Sequence, residues 1–106
     1  MADELSPAEM AEEWHSAATG LLRIEMMRRG LSYADLVKAL ALVGVQDNER
    51  NVRNKVARGT FSATFFVQAL VAMGVTALDL DPARFPHWRA KVTRVWPPRT
   101  HETPGG

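Results

Sequence analysis

Between Arg50 and Arg58 the chain gathers side chains suited to a nucleic acid. Arg50, Arg53, Lys55 and Arg58 supply four cations, Asn51 and Asn54 supply two amides, and no acid interrupts them. Guanidinium forks bond bidentately to guanine edges and carboxamides to adenine edges, while cations of either type neutralise phosphate. If the segment is helical, a rotation of about 100° per residue puts Val52 and Val56 together on one side. Arg50, Asn54 and Arg58 then point away from them, with Asn51 near the edge of that outer face. Such a helix suits a major groove. The expected base readers are Arg50, Asn51 and Asn54, and the expected phosphate contacts in this helix are Arg53, Lys55 and Arg58. The plain alternative is a cationic face that is simply solvated.

No other chemistry has a comparable constellation. His15, His87 and His101 are scattered, without carboxylates at metal-ligand spacing, and Asp81 before Pro82 reads more simply as a helix cap than as half of a metal pair with Asp79. There is no glycine-rich phosphate loop, nucleophile elbow or paired-carboxylate motif. The expectation is therefore no catalytic residue, no metal ligand and no small-molecule cofactor.

The 106 residues allow one domain with a single modest core, and 46% hydrophobic with 24% charged content is ordinary for a globular chain. No apolar run is long enough for a membrane span, the N-terminus lacks the pattern of a secretory signal, and there are no cysteines. These features predict a cytoplasmic protein. The net charge of +1 conceals a segregation: residues 1–13 carry five acids and no base, residues 14–75 eight bases against four acids, and residues 76–106 five bases against three acids. The field that a partner meets depends on that distribution, which makes the middle of the chain the basic part.

The elements that must position the basic segment follow from apolar spacing and stop signals. Residues 1–13 read as an acidic flexible tail, with room for a short helix capped by Ser6 and opened by Pro7. Trp14, Ala17, Ala18, Leu21 and Ile24 predict an amphipathic helix that runs to about Arg29 and stops at Gly30. Ser32 begins a second helix with Asp35 in its first turn and a buried stripe of Leu36, Leu40 and Val43, ended by Gly44. Asp47 or Asn48 caps a third helix over Asn48–Arg58, which stops at Gly59. Ser62 caps a fourth through Met73, with Phe65, Phe66, Ala69, Leu70 and Met73 as the floor of the core.

Beyond Val75, Asp81-Pro82 predicts a helix of about one turn before Pro86, and Lys91–Trp96 alternates as a weak strand before Pro97-Pro98. Trp88 and Trp96 stand among Arg84, His87, Arg89, Lys91, Arg94 and Arg99. That mixture reads as a segment reaching phosphates or exposed bases, or as Phe85, Trp88 and Trp96 covering the helices while the bases stay solvated. A third reading is a homodimer contact, because a short exposed strand invites pairing with its twin. Residues 99–106 read as a disordered end.

The sequence from Gly30-Leu31-Ser32 through Leu36, Leu40, Gly44-Val45, Val56, Arg58-Gly59, Ser62, Phe66 and Met73-Gly74-Val75 resembles the lambda-repressor/Cro (Xre-type) helix-turn-helix domain. The longer pattern LLRIEMMRRGLSYADL with NVRNKVARGTFSATF also looks like a narrower bacterial family labelled only as a domain of unknown function. The resemblance covers about residues 14–75. It implies an all-α, compact four- to five-helix bundle, lambda-repressor-like, flanked by flexible tails. It further implies that Ser32–Val43 buttresses a DNA backbone while Asn48–Arg58 enters the major groove. Tyr33 stands where the family usually has a phosphate-contacting glutamine, and Ser32 and Lys38 join it as expected phosphate contacts. This sequence departs from the pattern in two places. Ser32 to Gly59 is about six residues longer, which predicts a longer second helix and an enlarged connection, and Val37 replaces a small alanine at the helix-helix contact.

Two functions fit. One is a transcriptional regulator that binds double-stranded DNA, with affinity falling as salt rises at a log-log slope of roughly −3 to −5. The other is a helical protein-interaction module whose basic face meets an acidic partner.

Overall fold

In a computed structural model, which describes residues 5–80, four helices pack around one core: α1 (Pro7–Arg29), α2 (Tyr33–Leu42), α3 (Glu49–Arg58) and α4 (Ala63–Met73). No strand occurs among the described residues. The short helix and strand expected after Asp81, and the aromatic and basic segment around Trp88 and Trp96, lie outside them.

Each helix begins where a side chain can satisfy the orphan amides of its first turn. Ser6 and Glu9 form a reciprocal capping box on α1, with Pro7 in the first turn, and Ser32 and Asp35 form another on α2. Asn48 and Ser62 cap α3 and α4 by accepting from Asn51 N and Phe65 N. Residues 7–13 are thus part of α1, which starts at Pro7 and not at Trp14. A continuous helix tolerates their acidic, little-buried surface because its own cap supplies the start. At the other end, Gly30, Gly59 and Gly74 are left-handed C-caps, whereas α2 ends on Val43 one residue before Gly44.

The capping carboxylates couple this architecture to pH. Glu9 is held below its ordinary range by the backbone N–H of Ser6, and Asp35 by that of Ser32. Asp47 is lowered by the Lys55 ammonium first and by the Asn48 N–H second. Because all three are depressed in the fold, the unfolded chain takes up protons first on acidification. Their stabilisation is full above about pH 5 and is lost as pH falls through and below about 4. A melting-temperature series should stay level down to about pH 5 and then decline. A level profile to pH 3 would show that the caps add no stability.

Leu22 and Met26 of α1, Leu36 and Leu40 of α2, Val52 and Val56 of α3, and Phe65, Ala69, Leu70 and Met73 of α4 form the core. The second helix packs on α3 and α4, and α1 packs on the same two. Val37 is half-buried against this cluster, as are Val75 and Leu78 just after α4. Phe66, expected in the floor, is half-buried and stacks on Phe61 with ring centroids 5.7 Å apart.

The buried face of α1 differs from the expected stripe. Ala17, Thr19, Leu22, Glu25 and Met26 face inward, Leu21 and Ile24 flank them, and Trp14 is 45% exposed. Apolar residues occur on nearly every side of this helix, so spacing alone does not select one face. Docking does: the buried Thr19 hydroxyl donates to Val56 O at 2.6 Å, tying the middle of α1 to the end of α3. Such a bond contributes about 1 kcal/mol. Glu25, 4% exposed, accepts from Arg29 at 2.6 Å and pairs with Arg28 at 3.4 Å, so the two arginines in the last turn of α1 neutralise a buried acid.

Candidate nucleic-acid interface

The third helix lies on the core through Val52 and Val56, both fully buried, and its remaining side chains fall into three groups. On one flank Arg53 pairs with Glu49 at 2.7 Å, one turn earlier, and its guanidinium carbon lies 5.0 Å from the centre of the Tyr33 ring. On the other flank Lys55 pairs with Asp47 at 2.7 Å and sits 5.0 Å from the centre of the Phe65 ring. The Asp47 side chain, 10% exposed, also accepts from the Asn48 N–H at 2.8 Å. Between the flanks Arg50, Asn54 and Arg58 are exposed and have no hydrogen-bond or ion-pair partner among the described residues.

The expected site is therefore brought together in part. Arg50 and Asn54 share the outer line that the helical rotation predicted, with Arg58 one turn further on. Asn51, expected among the base readers, is exposed at the edge of that line, with its backbone N–H given to the Asn48 cap. Lys55 and Arg53, expected on phosphate, already hold an acid each, which reduces the counterions they can release. The Glu49–Arg53 pair was readable from its four-residue spacing, whereas Asp47–Lys55 bridges the connection and the helix and has no such signature.

On α2, Tyr33 stands beside α3 through Arg53, but Ser32 is occupied by its capping box: its hydroxyl oxygen accepts from Asp35 N and its own N–H donates to the Asp35 carboxylate. Lys38 lies opposite Leu36 and Leu40, exposed and turned from the core. The second helix is ten residues long, and residues 43–48 connect it to α3.

Arg23 of α1 was not anticipated. It is exposed, its Nε donates to the Tyr33 hydroxyl at 3.1 Å, and it lines a cleft of about 310 Å³ between α1 and the end of α3 together with His15, Thr19 and Arg58. A lone cation on a long helix carries no mark of function. Its relation to Tyr33 arises across the turn at Gly30, where the two long side chains reach each other. Among the described residues no three His, Asp or Glu side chains gather where they could hold a metal ion. No helix there is long and apolar enough to cross a membrane.

No curated protein and no solved structure matches the chain. A family model described as a domain of unknown function, DUF6471, matches residues 14–78, a span that holds α2, α3, α4 and most of α1. Since the match takes in more than half of the sequence and every residue of the basic helix, the chain belongs to the DUF6471 family.

Proposed function

We propose that the protein binds double-stranded DNA and regulates transcription through a helix-turn-helix of the lambda-repressor type, with α2 against the backbone and α3 in the major groove. One observation carries the reading. The flanking cations of the third helix are neutralised by Glu49 within it and by Asp47 just before it, which leaves Arg50, Asn54 and Arg58 without partners among the described residues, along the line opposite the buried valines. On this reading Arg50 in the first turn and Asn54 in the next meet base edges, while Arg58 at the far end meets a backbone.

Asn54→Ala or Arg50→Ala should cost about 1–3 kcal/mol on a preferred site, selected from random duplexes, and leave binding to random duplex nearly unchanged. Both side chains are exposed, so the melting temperature should stay within a few degrees. Equal losses on the two duplexes would mean that α3 does not read bases.

The alternative is a helical protein-interaction module without DNA binding. It is favoured by Leu42, 87% exposed at the end of α2, and by Val43 beside it, an apolar edge that a phosphate surface would leave unsatisfied. On that reading a duplex would not be retained even at low salt.

A further inference from the structure

We infer that Arg23 and Tyr33 together form an oxyanion site for a phosphodiester group, a contact from α1 that rests on the DNA-binding reading and extends its footprint beyond α2 and α3. The geometry assigns the donors. Arg23 bonds Tyr33 through Nε alone, at 3.1 Å, and has no acid partner among the described residues. Its terminal nitrogens therefore remain free, and the one on the same edge of the guanidinium as Nε can donate to an anion oxygen beside the tyrosine hydroxyl.

The tyrosine hydroxyl oxygen accepts from Arg23, which leaves its own O–H free to donate toward the same anion. Arg53, stacked on the face of the same ring, braces the tyrosine from α3. Arg58 lines the cleft that Arg23 also lines, so positive charge approaches from α1 and from α3. The acids nearest this group are already engaged or turned to water: Glu49 is bound by Arg53, and Glu12, on the cleft's rim, is largely exposed and lies near His15. Because the two donors belong to α1 and α2 and their brace to α3, the site exists only in the folded protein, and Arg23 enters it already oriented.

The test compares the full-length protein with Arg23→Ala and Tyr33→Phe. Binding is read with a random-sequence duplex over a salt series, and the Arg23 side-chain Nε–H resonance is followed during titration with inorganic phosphate. Arg23→Ala should weaken duplex binding about tenfold at low salt, equally on every sequence. It should also reduce the log-log salt slope by about 0.9, the contribution of one phosphate. Tyr33→Phe removes a donor but no charge, so it should weaken binding about threefold with the slope unchanged. A wild-type slope retained by Arg23→Ala, with the duplex still bound, would overturn the site and leave the DNA reading standing. If the wild type binds no duplex but phosphate shifts the Arg23 resonance, and Tyr33→Phe abolishes that shift, the oxyanion site holds for a free phosphate and the DNA reading fails. Neither duplex binding nor a phosphate shift would overturn both.

Discussion

Gly59→Ala is expected to lower stability by more than about 3 kcal/mol, a large share of what holds a domain of this size together. Two effects coincide there. The residue has φ +69°, a left-handed backbone that costs an L side chain about 1–2 kcal/mol. The added Cβ would also fall 2.0 Å from the carbonyl oxygen of His15 and 2.6 Å from its carbonyl carbon. Both are backbone atoms in the middle of α1, so no rotamer change relieves the clash and the two helices must move apart. That movement would strain the Thr19 bond to Val56 and shift Arg58 relative to Arg23.

Gly30→Ala supplies the control, with φ +64° and nothing within 4 Å of its added Cβ. It should cost only about 1 kcal/mol, the conformational part. In thermal denaturation the gap should be roughly 10 °C or more, and Gly59→Ala could lose its cooperative transition. Equal shifts for the two variants would mean that α1 is not seated on the end of α3 as described.

Punctuation was the most legible part of this fold. Ser32, Asn48 and Ser62 cap the helices that their positions announced, and Gly30, Gly59 and Gly74 end three of them, because caps and left-handed stops depend on a few neighbouring residues. The inward side of α3 was equally readable, since Val52 and Val56 are the apolar pair of an otherwise polar helix. The start of α1 was announced by Ser6-Pro7, but the acidic surface that follows obscured how far the helix runs.

What local patterns could not supply was the docking of α1. Leu21, Leu22, Ile24, Met26 and Met27 surround that helix, and the choice among its faces was made by the end of α3 and by a buried Glu25 with its own arginines. The partition of the α3 cations was hidden for a related reason. Asp47 lies before the helix and Tyr33 lies in another one, so the Lys55 ion pair and the Arg53–Tyr33 contact form only once the elements are assembled, whereas Glu49–Arg53 is local to α3.

This partition also changes the expected strength of phosphate binding. With Lys55 held by Asp47, Arg53 shared with Glu49 and Arg50 given to base edges on this reading, the cations around α3 left to release counterions are Arg23 and Arg58, with Arg53 in part. Two to three neutralised phosphates give a slope of roughly −2 to −3, shallower than the −3 to −5 expected from a plain count of cations. A fourfold rise in salt should then weaken binding roughly 15- to 65-fold. The measurement that bears most directly on the DNA-binding reading is a titration of the unmodified protein with random-sequence duplex from about 50 to about 200 mM salt. A complex that forms at the low end and weakens with a slope near −2 to −3 is the predicted result. No complex at low salt, or an affinity indifferent to salt, would contradict the reading and direct attention to a protein partner for the same helices.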